Sequence, residues 1–316
     1  MAPTEPVTAP ARRRAAVLGS PIAHSLSPRL HRAAHTALGL TGWTYGRYEV
    51  TGDRLGAFLD GLGPDWAGLS LTMPLKRAVL PLLDEVSDLA ATVGAVNTVL
   101  LHPDGRRTGD NTDVPGMNAV LAELGVPKGV SAALLGAGAT AASALAALHA
   151  HGADEVTVYG RDAARTAELR ACGERLGLAV RTAPWDRAAL GLRAPLVVST
   201  TPRGATDRLA ASVPSPPGVL LDVLYDPWPT ALAAAWRSAG GVAAGGLGLL
   251  VRQAARQVEL LTGCPTAPLD AMRAAAARAL AAPADARPTA HGGRTHTGHG
   301  PAGTDGHQHS RKAGTR

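Results

Sequence analysis

Aromatic side chains make up only 3% of this 316-residue chain, and phenylalanine occurs once. A nucleic-acid groove needs stacking rings among basic side chains on one folded face, so the shortage argues against that class. The net charge of +6 does not rescue it, because the charge sits at the ends. Residues 1–14 carry three arginines against Glu5, and residues 282–316 carry Arg287, Arg294, Arg311, Lys312 and Arg316 against Asp285 and Asp305. Those two segments hold +5 of the +6, which leaves the rest nearly neutral.

Cysteine is as scarce. Cys172 and Cys264 stand far apart without metal-ligand spacing, which excludes a disulfide framework and a zinc cluster and suits free thiols in a reducing cytoplasm. No run reaches the ~20 uninterrupted apolar residues of a membrane span. The apolar stretch after Arg14 is too short for a signal segment. Residues 132–150 come closest, and their glycines, Thr140 and Ser143 read as a buried strand, turn and helix. Five of the eleven histidines fall in the tail, at His291, His296, His299, His307 and His309. They lack fixed spacing and acidic partners, so no metal site is expected.

What remains, 46% hydrophobic and 18% charged residues, suits a soluble chain of about two domains. Residues 1–13 and 282–316, poor in large apolar side chains, are expected to be disordered. Between them apolar strands alternate with helical patterns: Ala15–Gly19 then Ser27–Leu38, Trp43–Val50 then Asp53–Leu62, Ala67–Thr72 then Leu75–Leu83. The alternation predicts an α/β sheet. Asp104-Gly105 suits a two-residue type I′ hairpin turn, whose register sets Asn97 opposite Thr112 and near Asp113. A second series runs through Ala132–Leu135, Glu155–Tyr159, Leu178–Thr182, Leu196–Thr200 and Val219–Val223, and helical patterns over Gly248–Thr262 and Leu269–Ala281 close the folded region.

The glycine turn Gly136-Ala-Gly-Ala-Thr-Ala141 lies between a strand and a helix. Gly136 permits a sharp turn, Gly138 permits close approach of a pyrophosphate, and the small Ala141 lets helix and strand pack closely. A dinucleotide site placed so late implies a preceding domain with another task. In that domain Ser27 reads as a helix N-cap and Pro28 as the first helical residue. Ser25 and Ser27 are either a carboxylate cradle at the helix end or plain capping, and His24 reads as structural. In Gly68-Leu-Ser-Leu-Thr-Met-Pro-Leu-Lys76, Leu69 and Leu71 face one side while Ser70 and Thr72 face the other. Lys76 follows within a turn of Pro74. Alone, Lys76 reads as a surface lysine and Asp113 as an Asx-turn residue.

Taken together these segments resemble the shikimate dehydrogenase family over about Ala15 to Ala281. The marks are Gly19–Pro28, Ser70-Leu-Thr-Met-Pro-Leu-Lys76, Gly94-Ala-Val-Asn-Thr98, Asp110-Asn-Thr-Asp113, the dinucleotide turn, Tyr225 and Gly246-Leu-Gly-Leu-Leu-Val-Arg-Gln253. The resemblance implies a substrate domain over 14–113, completed by helices over 247–281. It adds a Rossmann-like NADP domain over 114–246, with the active-site cleft between the two. It also implies reversible NADPH-dependent reduction of 3-dehydroshikimate to shikimate, in aromatic amino-acid biosynthesis, by a cytoplasmic monomer or homodimer; the alternatives within the family are a quinate/shikimate or aminoshikimate dehydrogenase and a non-catalytic ligand-sensing relative. Lys76 and Asp113 match the family's catalytic pair, and Ser25, Ser27, Thr72, Asn97, Tyr225 and Gln253 its substrate contacts. Gly136, Gly138, Ala139, Thr140, Ala141, Thr200, Thr201 and Gly246 match cofactor positions, and Arg161 and Arg165 the pair that clamps the 2′-phosphate of NADP. The chain departs from the family at Ser70, where asparagine is usual, and at Asp162, which is read as a helix cap.

Overall fold

The structure, a computed structural model, describes residues 12–281. The tail with its histidines, and the arm up to residue 11, lie outside the described residues. Arg13, expected in the arm, instead opens the first strand, where its N–H donates to the Gly42 carbonyl at 3.1 Å.

The first sheet contains β1 (Arg13–Gly19), β2 (Trp43–Glu49), β3 (Trp66–Leu71), β4 (Glu85–Val86), β5 (Thr98–Leu101) and β6 (Arg107–Asp110), in the order β2-β1-β3-β5-β6-β4. Helices α1 (Ser27–Ala37), α2 (Leu55–Asp60), α3 (Leu75–Ala78) and α4 (Asp88–Val93) belong to this half. Strand β3 shows why the sheet forms: Leu69 and Leu71 enter a core with Leu18, Leu55 and Leu75, all nearly inaccessible to solvent. Each such leucine contributes roughly 1.5–3 kcal/mol of burial. Strand β5 runs antiparallel to β3 and β6, while β1 is parallel to both its neighbours.

Helix α5 (Asp113–Glu123) leads to the second half, which contains β7 (Ala132–Leu135), α6 (Ala139–His151), β8 (Glu155–Gly160), α7 (Ala163–Leu176), β9 (Ala179–Pro184), α8 (Ala188–Gly191), β10 (Leu196–Ser199), β11 (Val219–Asp222), α9 (Ala231–Ser238) and β12 (Val242–Gly245). The strands lie β12-β11-β10-β7-β8-β9 and every pair is parallel. Chain order reverses between β7 and β10, which makes their C-terminal ends the ligand crevice of a doubly wound sheet. Helices α10 (Leu247–Thr262) and α11 (Leu269–Ala281) return to the first half, where Val251, Val258, Met272 and Ala276 pack on Leu30 and Ala34 of α1. Gly263 ends α10 in the left-handed conformation, as its position after Thr262 suggests.

Two local expectations need correction. The β5–β6 hairpin pairs Thr98 with Asp110 and Leu101 with Arg107, one residue away from the two-residue-turn register. The Gly105 N–H donates to the His102 carbonyl at 3.0 Å and Gly105 takes φ +88°. This is a longer loop closed by a left-handed glycine, a common alternative to the type I′ turn. At α1, Leu26 rather than Ser27 occupies the cap position. Ser25 supplies the side-chain acceptor, its Oγ taking the Ser27 N–H at 3.4 Å.

Between α1 and the first sheet, His31 stacks on Tyr45 with ring centroids 3.8 Å apart. Burial first, and then the neighbouring His35, hold His31 down to about 3, and burial holds His35 down to about 4. Both are therefore neutral when folded and take up protons on unfolding, so their contribution is full above about 6.5 and is lost as pH falls toward the folded values. Urea midpoints are expected to drop between neutral pH and about pH 5. His31→Phe, which keeps a ring against Tyr45, is expected to flatten that slope.

Candidate active site

Strand β3 ends at Leu71, and Pro74 stops the ladder before the short helix α3. Lys76 on α3 meets Asp113, the first residue of α5, with Nζ and Oδ2 2.6 Å apart and side-chain exposures of 12% and 8%. Asp113 stands in the first turn of its helix, where the helix dipole favours a carboxylate. The turn before it is fixed by Asn111, whose Oδ1 accepts from the N–H groups of Asp113 (3.0 Å) and Val114 (3.3 Å). Its Nδ2 donates to Ser143 of α6 at 3.0 Å. The carboxylate is thus positioned by a residue that ties both halves together.

Asn97, immediately before β5, accepts from the Thr112 N–H at 2.8 Å and donates through Nδ2 to Thr112 Oγ1 at 3.0 Å and Gln253 Oε1 at 3.5 Å. Three separate stretches of chain therefore meet beside Asp113. Ser70 lies deeper: it accepts from the Tyr45 hydroxyl at 2.6 Å and donates to Gln257 Oε1 at 2.8 Å. Gln257 in turn donates to the Asn97 carbonyl and to Thr98 Oγ1, both at 3.1 Å. A serine is short enough to share that inner network, which gives the departure from asparagine a local role. Gln257 is absent from the sequence-based site. Its signal was the i, i+4 spacing from Gln253 on α10, which puts both amides on one face.

A cavity of about 550 Å³ places Thr72 and Lys76 on the same wall system as Gly136, Gly138, Ala139, Thr140, Arg161, Arg165, Thr200 and Thr201. Trp185 also lines it and was not foreseen. Gly136 takes φ +111°, and a Cβ there would lie 2.7 Å from Thr200 Oγ1. Gly136→Ala is accordingly expected to cost roughly 1–2 kcal/mol from left-handed backbone alone, plus the overlap, read as a lower Tm. Gly138 caps α6 without a side-chain hydrogen bond, and space beside it is open. An uncapped helix end facing open space with two arginines nearby fits a dinucleotide phosphate. Asp162 caps α7, accepting from Ala164 N (2.9 Å) and Arg165 N (3.2 Å), so its carboxylate is turned to the helix.

Ala141 and Gly246 do not line the cavity. Ala141 is fully buried in the first turn of α6. Gly246 precedes α10, and any Cβ would overlap the Val223 main chain. Ser27 is buried at the start of α1, and Ser25 lines a separate cavity. Tyr225 follows β11 on a loop held by buried Asp222, which accepts from Leu224 N (3.2 Å) and Thr230 Oγ1 (2.9 Å). Burial, then Asp226, pushes the Tyr225 hydroxyl above its ordinary range, and burial likewise raises Asp222. Among the described residues no group of His, Cys, Asp and Glu could hold a metal ion, and no helix is long and apolar enough to cross a membrane.

Comparison with known proteins shows the family. Residues 17–99 match the shikimate dehydrogenase substrate binding domain and residues 246–277 the shikimate 5'-dehydrogenase C-terminal domain. The chain is 34% identical over 280 residues to a shikimate dehydrogenase (NADP(+)) of a Synechococcus species, covering 84% of this chain and 95% of that one. The shikimate dehydrogenase of Mycobacterium tuberculosis superposes with TM-score 0.77 at 43% identity, over 84% of this chain and 99% of that one. The shikimate 5-dehydrogenase of Thermus thermophilus, solved in complex with NADP(H) and shikimate, gives 0.73 at 36%, with the same coverages. This chain, with its mixed first sheet and its all-parallel second sheet, belongs to the shikimate dehydrogenase family.

Proposed function

We propose that this chain catalyses the reversible NADPH-dependent reduction of 3-dehydroshikimate to shikimate, in the aromatic branch of cytoplasmic biosynthesis. The observation that carries the proposal is the Lys76–Asp113 pair, 2.6 Å apart, with Lys76 lining the same cavity as the glycine turn and both arginines. When bound, reduced nicotinamide supplies hydride to the ketone carbon. Negative charge then develops on the ketone oxygen, and a cation able to release a proton must stand beside it. Lys76 Nζ provides both the charge and the proton. Asp113 aims the ammonium and accepts from a substrate hydroxyl, and in the reverse direction Lys76 takes the proton back.

Ser25 and Ser27 would hold the substrate carboxylate, with the positive end of α1 behind them. Thr72, Asn97 and Gln253 offer hydroxyl and amide groups to the ring hydroxyls, and Tyr225 adds one from the β11 loop. Arg161 and Arg165 select the 2′-phosphate through charge-assisted contacts. Catalytic efficiencies measured on shikimate and on quinate, each with NADP⁺ and NAD⁺, test the assignment. The shikimate and NADP⁺ combination is expected to exceed the other three, and quinate with NAD⁺ as the best pair would overturn it.

A further inference from the structure

A second cavity of about 360 Å³ shares no lining residue with the first. Its walls carry Arg29 and Arg32 of α1, Arg47 of β2, His24, Ser25 and Asp226, and the end of α11 closes it. Three guanidinium groups and one carboxylate thus line the same cavity. Their positions are more unusual than their number. Arg29 lies in the first turn of α1, which holds no acidic residue, although the helix dipole there disfavours cations; Arg32 follows at mid-helix. Arg32 donates to the Tyr45 carbonyl at 3.1 Å and Arg47 to the Ala23 carbonyl. Main-chain carbonyls orient these two guanidinium forks without neutralising them.

Convergent cations, a positive helix end and preset guanidinium planes make a recognition surface for oxygen anions. The volume lies within the range of small-molecule pockets and exceeds the needs of a single inorganic ion. We propose that this cavity binds a small organic anion with at least two negative charges on carboxylate or phosphate oxygens. Its occupation opposes entry of the substrate carboxylate. The link is Ser25, which lines this cavity while its Oγ holds the Ser27 N–H. Asp226, on the same wall, adjoins Tyr225. A bound polyanion therefore sets negative charge against the substrate cradle and leaves the dinucleotide cavity untouched.

The second half of this proposal rests on the substrate assignment given above; the binding half does not. Calorimetric titration of citrate and, separately, inorganic pyrophosphate into the full chain saturated with NADP⁺ tests the binding and distinguishes polycarboxylate from phosphate. Saturation keeps the probes off Arg161 and Arg165, and constant ionic strength removes general screening. One probe is expected to bind one-to-one, with Kd weakened at least about tenfold in Arg29→Glu and unchanged in Arg208→Glu, a matched charge reversal elsewhere. Arg29→Gln repeats the test with a milder change if the reversal disturbs folding by circular dichroism. The binding probe is expected to raise the shikimate KM with kcat and the NADP⁺ KM unchanged. Absence of binding at millimolar probe, or binding indifferent to Arg29, overturns the site, and binding without a KM change overturns its coupling to the substrate.

Discussion

Replacing Lys76 with methionine is expected to lower kcat by about 10²- to 10⁴-fold, the usual worth of a positioned general acid, and to leave NADPH binding intact. Methionine keeps an unbranched chain of similar length in a partly buried position, so the loss reports the ammonium and not a void. Asp113 is left without its partner but keeps the helix dipole at the start of α5, and its main-chain N–H still donates to Asn111 Oδ1. A modest fall in Tm is expected as a result. Asp113→Asn, which preserves shape and removes the charge that aims Lys76, is expected to lower kcat without restoring activity to the lysine variant. Because the two residues act as one unit, the double variant is expected to resemble the worse single variant, not the product of the two effects. Normal turnover in Lys76→Met would remove the residue from the chemistry.

Arg161→Ala and Arg165→Ala are each expected to raise the KM for NADPH by roughly 10- to 100-fold, the loss of a hydrogen bond to a charged group worth about 1.5–3 kcal/mol. The KM for NADH is expected to change little, because the proposed contact is to the 2′-phosphate alone. Both arginines line the cavity that holds the glycine turn; Arg161 directly follows β8 and Arg165 lies in the first turn of α7. Arg165 also approaches Asp162, with Nε and Oδ2 3.6 Å apart and both side chains largely exposed, a pair too solvated to hold the guanidinium back from a phosphate. A parallel loss for NADH and NADPH would mean that the arginines support α7 and do not discriminate between cofactors. Steady-state kinetics with both dinucleotides separates these outcomes.

Residues close in the chain were the readable part of the fold. Ala132–Leu135 and Leu269–Ala281 run as their apolar patterns predict, since a buried parallel strand and an amphipathic helix each announce themselves locally. Strand β12, Val-Ala-Ala-Gly, carries almost no bulk, and β4 is two residues long, so neither offers a period to read. The hairpin slip shows how one left-handed glycine changes a register: Asp104-Gly105 is compatible with two loop lengths, and packing chooses between them. The cap moved from Ser27 to Leu26 and the serine acceptor to Ser25 for a similar reason, because Ser25 and Ser27 have the same side chain and only the backbone path decides which one accepts.

The site divides along the same line. Lys76 and Asp113 were recognisable from their motifs, but their contact joins residues 37 positions apart. In the inner network of Tyr45, Ser70 and Gln257 one bond alone joins residues 187 positions apart, and no local pattern indicates that a serine will donate to a distant glutamine. The second cavity is a similar case. Arg29, Arg32 and Arg47 look like ordinary surface arginines until α1 and β2 bring them to one wall.

Oxidation of NADPH by the full chain in the presence of 3-dehydroshikimate, followed by absorbance with the product identified by chromatography, tests the functional assignment most directly. One NADPH is expected to be consumed for each shikimate formed, with NADH oxidised far more slowly. No NADPH oxidation in the presence of 3-dehydroshikimate, by protein that is folded and binds NADPH, would contradict the assignment.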